Sequence, residues 1–344
     1  MNVLVTGGAG YIGSHAALKL LEVGCDVTVV DDLSCGHIGA IDAIRKVGEL
    51  HFAEMNFGDV GAIAELLNTR SIDVVMHFAA LTYVGESVEQ PIRYYQNNTS
   101  NAICLFEAMR QAGVKRIVFS STAATYGIPA QENIPITEDC PQEPINPYGW
   151  SKLMVERVLK DQLIAAQSNA EDFAFAALRY FNVAGCDPQS RLGEHHQPET
   201  HLIPICLDAA LGKLEAVTVF GNDYQTPDGT CIRDYVHIDD LVDAHITVMK
   251  SLSNGDGKFY NIGIGKGYSV KNIVDACKEV TSNDFKVHVG SRRSGDPPIL
   301  QANAKRIQDD LGWTAKYTHI KEIIESAWKW RKANPDGYVQ CNNK

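Results

Sequence analysis

A glycine-rich segment near the N-terminus constrains the fold of this chain more than any other feature. The run Gly7-Gly8-Ala9-Gly10-Tyr11-Ile12-Gly13 lies between a β-branched stretch at residues 3–6 and a segment of helical spacing at residues 14–23. Gly7 permits a tight turn, Gly10 lets backbone N–H groups approach a pyrophosphate, and Gly13 lets the helix pack closely on the strand. The helix N-terminus then faces the phosphates with its partial positive charge. The segment therefore predicts a dinucleotide site.

Strand-like and helix-like segments alternate along the first half of the chain. Further strands are predicted at residues 25–30, 73–78, 114–120 and 173–178, and helices at 91–112 and 148–166. This alternation is typical of a parallel sheet covered by helices on both faces. We predict an α/β fold: a Rossmann-like, doubly wound parallel sheet with a smaller α/β C-terminal lobe that binds substrate. The cofactor domain would span residues 1–178 and the lobe 179–344, with the chain crossing back around 235–260.

Composition excludes several classes of protein. Hydrophobic residues make up 45% of the chain, yet no apolar run approaches the roughly 20 residues of a membrane span. The N-terminus lacks signal-peptide features. Nine scattered cysteines, without a C-x-x-C pair, favour a reducing compartment over disulfides or structural zinc. The net charge of −11 disfavours nucleic acid. We predict a cytoplasmic protein with no metal, no membrane partner and no nucleic-acid partner.

Two aspartates extend the predicted cofactor site. Asp31 follows the second strand, where an acid accepts hydrogen bonds from the adenosine ribose hydroxyls and would repel a 2′-phosphate. It therefore favours NAD over NADP, although a strand-end cap is the alternative. Asp59 and Val60, at a later predicted strand end, would border the adenine, or Asp59 is simply a turn aspartate.

A tyrosine and a lysine are candidates for acid–base chemistry. Tyr148 and Lys152 stand at positions i and i+4 of a predicted helix, which places them on one face. A phenol has a reference pKa of about 10. A nearby ammonium and a positive nicotinamide ring would lower the pKa of Tyr148 toward operating pH. Thr122, at the end of a strand, would bond the reacting hydroxyl of the substrate and relay its proton to Tyr148.

Motifs from both halves of the chain resemble the extended short-chain dehydrogenase/reductases and, within them, the UDP-glucose 4-epimerases. The resemblance runs from residue 1 to about residue 338. It includes segments 6–15, 77–80, 84–87, 148–152, 178–182, 220–224, 228–230, 233–235 and 292–296. Because these segments occur in order through both lobes, the set is highly specific.

The resemblance implies which residues hold each ligand. NAD would be bound by Gly7, Gly10, Tyr11, Ile12, Gly13, Asp31, Asp59, Val60, Phe78, Ala79, Ala80, Asn97, Tyr148, Lys152 and Phe181. The UDP-sugar would be bound by Thr122, Asn182, His201, Leu202, Phe220, Arg233, Tyr235, Arg293 and Asp296. The residue types agree with these roles, since arginine forks suit a diphosphate and a phenyl ring offers an apolar face to uracil.

The residues after Thr122 separate the reactions of related enzymes. The resemblance implies that Tyr148 takes the 4-hydroxyl proton while C4 gives hydride to NAD. The 4-keto sugar then turns over with its UDP anchored, and hydride returns to the opposite face. A 4,6-dehydratase typically carries Asp-Glu beside the threonine, and a decarboxylase commonly carries Glu. This chain has Ala123-Ala124, which transfer no proton, so epimerisation is the reaction that remains.

Departures from the family pattern leave the sugar open. Thr82 stands where some epimerases carry Lys, His201 where others carry Asn, and Val183 where others carry Pro. Leu300 occupies a position that holds Tyr in some members, so a 2-acetamido group has room and UDP-N-acetylglucosamine is a further predicted substrate. The alternatives are a 4-epimerase of another UDP-sugar, such as a pentose or uronic acid, and a non-catalytic NAD-binding sensor. The resemblance also implies a homodimer built on the helices that start near Pro91 and Tyr148.

Overall fold

A seven-stranded parallel sheet forms the larger part of the molecule, in a computed structural model that describes residues 1–293 and 296–338. The strand order is β10-β6-β5-β4-β1-β2-β3. The chain therefore starts in the middle of the sheet and winds outward both ways, which confirms the predicted doubly wound fold. The strands are β1 (Asn2–Thr6), β2 (Asp26–Asp31), β3 (His51–Glu54), β4 (Val74–His77), β5 (Arg116–Thr122), β6 (Ala174–Tyr180) and β10 (Gly257–Ile262).

Helices cover both faces of this sheet because its strands are apolar on both sides. Val3 and Val5 pack toward one face and Leu4 toward the other, as alternating side chains of a strand must. One face packs against α1 (Tyr11–Glu22), α2 (Ile38–Arg45) and α9 (Ile238–Ser251). The other packs against α3 (Val60–Thr69), α6 (Asn101–Ala112) and α7 (Pro147–Ser168). Among the described residues, no helix is both long enough and apolar enough to cross a membrane.

A second region is built around a small mixed sheet and a strand pair. In the sheet, β7 (Asn182–Ala184), β13 (Ile299–Leu300) and β11 (Gly267–Ser269) all pair with β9 (Ile232–His237). The strand pair is β8 (Ala216–Phe220) with β12 (Lys286–Gly290). A separate apolar core joins α8 (Leu202–Ala210), α10 (Val270–Thr281) and α12 (Ile320–Ala333). The remaining helices are α4 (Val84–Glu89), α5 (Pro91–Tyr94) and α11 (Lys305–Leu311).

The chain returns to the first sheet after its excursion into the second region. α9 packs against α1, and β10 pairs with β6 at the edge of the large sheet. β6 ends at Tyr180, two residues beyond the division that the sequence suggests. The division into two domains remains a prediction.

Two local predictions need correction. The helix expected over residues 91–112 is interrupted by a π-helical segment, Tyr95–Ser100. Within it, Asn98 bonds the backbone N–H and C=O of Leu81 at 2.8 and 2.9 Å and Ser151 Oγ at 3.0 Å. These long-range partners stabilise the wider turn, and no helical periodicity reveals them. Asp59 does not end a strand: its carboxylate caps α3 by accepting from the N–H of Ala62 at 3.1 Å.

Candidate active site

The glycine loop is packed so closely that larger residues do not fit. Gly7 has φ +71°, and a Cβ there would lie 2.6 Å from the backbone nitrogen of Ala79. A Cβ on Gly13 would lie 2.1 Å from the carbonyl oxygen of Gly7. Gly10 stands at the N-cap of α1 without a side-chain cap, so the first N–H groups of the helix stay free for a ligand. This cradle of glycines fits a dinucleotide pyrophosphate.

The Asp31 carboxylate lies at the carboxyl end of β2 and is tied to the glycine loop. One oxygen accepts from the N–H of Ala9 at 2.9 Å, and the other accepts from the N–H of Leu33 at 2.9 Å. Burial raises the pKa of Asp31, and these two hydrogen bonds oppose the rise. Each oxygen keeps a lone pair, so the same group serves as a loop brace and remains able to accept from ribose hydroxyls.

The segment after β4 closes the other side of the loop. Ala79 contacts Gly7 as described, and the Phe78 ring lies 4.9 Å from the ring of His245 on α9. His77 ends β4 and bonds Thr6 Oγ1 through Nδ1 at 2.7 Å. Burial, with the nearby charge of Lys152, lowers the pKa of His77 to about 3. Asn97 lies in the π-helical segment and donates to Asn98 Oδ1 at 3.0 Å.

The start of α7 presents the tyrosine and the lysine to the ends of β5 and β6. Asn146 caps the helix by accepting from the N–H of Gly149 at 2.9 Å, and Pro147 occupies its first turn. Both Tyr148 and Lys152 are buried. Lys152 Nζ donates to the carbonyl oxygen of Ser120 at 2.9 Å. Burial lowers the pKa of Lys152 to about 7.

The pKa of Tyr148 moves in the direction opposite to the sequence-based expectation. Burial raises it, and a hydrogen bond with Thr122 opposes the rise. Lys152 does not reverse the effect, because its ammonium is directed at a backbone carbonyl and its own charge is disfavoured by burial. In the protein alone the pKa of the phenol is therefore raised, and a bound positive ring would lower it.

The two alanines after Thr122 are in direct contact with the site. Ala124 packs against the apolar cluster that includes Tyr148, and Ala123 lies in a neighbouring cluster with Phe181 and Leu300. Leu300, which the sequence singles out as a sugar-size position, packs against the same apolar cluster that contains Ala123. Thr82 is exposed.

The second region contains two arginines, each paired with a residue far away in the sequence. Arg233 on β9 donates to Asp296 Oδ1 at 2.6 Å, across 63 residues of sequence. The Arg293 guanidinium lies 4.0 Å from the centre of the Phe220 ring, which is 39% exposed. Beside them, Tyr235 is buried and its strand pairs with Asn182 in register. Ser294 and Gly295 of the 292–296 motif, and the tail after residue 338, lie outside the described residues.

The start of α8 holds two predicted site residues, His201 and Leu202, together with three that the sequence reasoning missed, Glu194, His196 and Glu199. His201 stands at the N-cap and Leu202 begins the helix. Glu194, His196 and Glu199 surround His201, and their regular short spacing was the available signal. Burial alone would lower the pKa of His201, but Glu194 and Glu199 together raise it. Nearby, the Tyr11 hydroxyl donates to the carbonyl of Gly185 at 2.7 Å, joining the glycine loop to the second region.

A buried ion pair links β6 to α7 and supports the ends of β5 and β6. Arg179 on β6 donates to both oxygens of Glu156 on α7 at 2.9 and 2.7 Å, and Ser121 Oγ donates to the same carboxylate at 2.6 Å. An arginine inside an otherwise apolar strand signals that an acidic partner is required, but the sequence does not say which acid.

Comparisons with known proteins agree with this geometry. Residues 3–263 match the model of the NAD dependent epimerase/dehydratase family. A UDP-glucose 4-epimerase of Halalkalibacterium halodurans is 47% identical, over 99% of this chain and 99% of its own. A probable UDP-arabinose 4-epimerase of Oryza sativa subsp. japonica is also 47% identical, over 98% of this chain and 81% of its own. The crystal structure of the UDP-glucose 4-epimerase of Bifidobacterium longum with NAD+ and UDP superposes with a TM-score of 0.93 at 36% identity, covering 98% of this chain and 100% of that one. The resemblance stated from the motifs is thereby confirmed.

Proposed function

The chain belongs to the NAD-dependent epimerase/dehydratase family, and from this premise we propose that it interconverts UDP-glucose and UDP-galactose by inverting the C4 hydroxyl. One observation carries the proposal. Tyr148 and Thr122 are hydrogen-bonded to each other, and the side chains that follow Thr122 are the methyl groups of Ala123 and Ala124. The site thus has one acid–base pair for a hydroxyl and nothing there to dehydrate the sugar.

NAD is the cofactor, and it supplies the acceptor and donor of hydride at the sugar carbon. We propose that the Gly7–Gly13 loop and the N-terminus of α1 hold its pyrophosphate, while Asp31 accepts from its adenosine ribose. Phe78 and Ala79 close the loop from the side of β4. Asp31 disfavours a 2′-phosphate at this position because two negative groups would meet in a buried place.

Proton transfer falls to Tyr148 with Thr122 as its hydrogen-bonding partner. The phenol is protonated in the protein alone, so it must be made more acidic before it can accept the 4-hydroxyl proton. A lysine with a pKa of about 7 can carry positive charge at neutral pH, and a charge on Lys152 would stabilise the phenolate. Because Lys152 is held by the Ser120 carbonyl, it can act by its field without leaving its place.

The UDP moiety would be held by the second region. Arg233 and Arg293 are the two arginines that face it in our proposal, and both offer planar forks that match phosphate oxygens. Phe220 has one face covered by Arg293 and is partly exposed, which leaves surface for a base to stack. Anchoring the UDP in the second region would leave the sugar ring free to turn between its oxidation and its reduction at C4.

A panel of UDP-sugars tests the proposal. We expect coupled assays to detect turnover of UDP-galactose and UDP-glucose, with no added NADH consumed over the full cycle. UDP-arabinose is the second candidate substrate, because the rice relative that carries this name is as similar as the bacterial one. Turnover of the pentose with none of the hexose would replace the first proposal by the second. NAD binding without turnover of any UDP-sugar would favour a sensor.

We further propose a cytoplasmic homodimer. The eight cysteines of the described residues are all thiols, which suits a reducing compartment. Apolar side chains point to solvent from α5, α6 and α7: Ile92, Ile103, Met154 and Ile164, of which Ile92 is 68% exposed. Such a patch is typical of a subunit interface. Sedimentation at micromolar concentration should give twice the chain mass, and a monomer alone would refute the dimer.

A further inference from the structure

The segment that leads into α8 gathers two histidines and two glutamates around one point. His196 Nδ1 lies 3.4 Å from Glu194 Oε1 and 3.5 Å from Glu199 Oε2. His201 Nδ1 lies 3.1 Å from Glu194 Oε1 and 2.9 Å from Glu199 Oε1. One donor atom from each of the four residues lies within 4.8 Å of all the others.

We propose that these four residues, Glu194, His196, Glu199 and His201, form a binding site for one zinc-class divalent transition-metal ion. Zinc takes four ligands at about 2.0–2.2 Å in a tetrahedron, so neighbouring ligand atoms lie about 3.3–3.6 Å apart. Two of these edges share one ligand oxygen: Glu194 Oε1 lies 3.4 Å from His196 Nδ1 and 3.1 Å from His201 Nδ1. Glu199 faces the two histidines with different oxygens, so one of them must move toward the common centre when the ion binds.

The donor set suits zinc in charge and in type. Two carboxylates balance the charge of a divalent ion while two neutral imidazoles complete its shell. Imidazole nitrogen is a ligand that Mg²⁺ and Ca²⁺ avoid, since both prefer oxygen, so the site should discriminate against them. His196 Nδ1 is buried and makes no hydrogen bond within the part of the chain that the structure describes. This nitrogen faces carboxylate oxygens of Glu194 and Glu199 at 3.4 and 3.5 Å without hydrogen-bond geometry to either, and an ion between them would satisfy it.

The ligands are also held in place by their surroundings. Glu199 Oε1 accepts from the N–H groups of Thr200 and His201, both at 2.8 Å, which orients its other oxygen toward His196. The His196 ring packs edge-on against Tyr11, with ring centres 6.2 Å apart. Such outer contacts orient the ligands of metal sites. Because the protein supplies all four ligands, the ion would be structural, and it would hold this segment against the start of α1.

The proposed site departs from a sequence-based expectation. We predicted no structural metal, on the ground that cysteines form no pairs and histidines are dispersed. That reasoning considered cysteine and histidine alone, whereas the spacing Glu194-x-His196-x-x-Glu199-x-His201 includes carboxylates.

Cobalt spectroscopy on the NAD-loaded enzyme tests the proposal. After chelator treatment and dialysis, Co²⁺ should bind with one equivalent per chain and give the intense visible absorption of tetrahedral cobalt. Zn²⁺ should abolish that absorption, and a large excess of Mg²⁺ should not. His201→Asn and His196→Gln should each weaken Zn²⁺ binding by at least about 10-fold. The matched control is His195→Gln, because the His195 ring stacks on His37 outside the cluster and should leave binding unchanged.

Three results would overturn the metal site. These are the absence of a tetrahedral spectrum with one equivalent of Co²⁺, binding that survives both histidine substitutions, and equal weakening by His195→Gln. Each would mean that the cluster is only a pair of His–Glu ion pairs. Circular dichroism and NAD content check that each variant is folded, and Glu194→Gln replaces any histidine variant that fails this check. Epimerase turnover is scored separately, so failure of the metal site leaves the proposed function standing.

Discussion

The cofactor side and the UDP side of the site are built in different ways. On the cofactor side Asp31, Tyr148 and Lys152 are buried, and two of them are held by backbone groups at strand ends. On the proposed UDP side, Arg233 pairs with the Asp296 side chain and also donates to the carbonyl oxygen of Ile232, and both side chains keep some exposure. A backbone hydrogen-bond partner is fixed by the fold, whereas a side-chain partner can rotate away and be replaced by a ligand. Arg233 can therefore trade part of its contact with Asp296 for a phosphate, whereas the proton-transfer groups keep one arrangement throughout the reaction.

The balance between burial and neighbouring charges also differs between the cofactor side and the start of α8. Burial disfavours charge on the cofactor side, lowering the pKa of His77 to about 3 and of Lys152 to about 7. Near α8 the glutamates more than offset burial, and the pKa of His201 is raised. The chemistry thus takes place where charge is costly, so a single added charge there has a large effect.

The largest expected effect is at the acid–base residue. Replacing Tyr148 by Phe should lower kcat by about 10²–10⁴-fold, because general acid–base catalysis typically contributes that much. Steady-state assays on UDP-galactose measure it. Tyr94→Phe is the matched control, since Tyr94 belongs to the same apolar cluster but bonds Glu86. Near-wild-type turnover in Tyr148→Phe would disprove its role as the base.

The next largest effect concerns the sugar. Leu300→Tyr should reduce kcat/KM for UDP-N-acetylglucosamine by about 10–100-fold and that for UDP-glucose far less, because a larger ring against the cluster that contains Ala123 would take the space of the acetamido group. Parallel assays on both sugars measure the ratio. Leu300→Met, which conserves volume, serves as the control. An equal loss on both substrates would refute the size argument.

A smaller effect is expected at the exchangeable arginine. Arg233→Lys keeps the charge but removes the fork, so KM for the UDP-sugar should rise by about 10-fold, the equivalent of one charged hydrogen bond, with kcat nearly unchanged. The control is Arg292→Lys, in an exposed arginine that pairs with Asp223. If kcat falls instead of KM rising, the UDP side takes part in the chemistry and the contrast between the two sides fails.

An effect of a different kind is expected on stability in acid. The unfolded chain protonates His77 near pH 6.5, whereas the folded protein resists until about pH 3. The free energy of unfolding should therefore fall, by up to about 1.4 kcal/mol per pH unit from this group, as the pH drops between these values. Urea titrations of wild type and His77→Gln should differ by that slope, with the exposed His51→Gln as control. Parallel pH curves would show that His77 is not the group responsible.

Local sequence patterns determined the cofactor side almost completely. A glycine loop between a strand and a helix, an acid at the next strand end, and a tyrosine one turn before a lysine are relations within short stretches. Local backbone geometry therefore decides them before any tertiary contact forms. The order of these segments likewise predicted the doubly wound sheet, because parallel strands need crossover helices.

Only the tertiary structure decided which distant side chains meet. The Arg233–Asp296 and Arg179–Glu156 pairs, the widened turn at Asn98 and the packing of Leu300 against the cluster that contains Ala123 join segments that no short pattern relates. The tertiary structure also decided the direction in which the pKa of Tyr148 shifts, since the shift depends on burial and on where the Lys152 ammonium points. Such contacts depend on how the two regions pack against each other, and packing is a property of the whole chain rather than of any one segment of it.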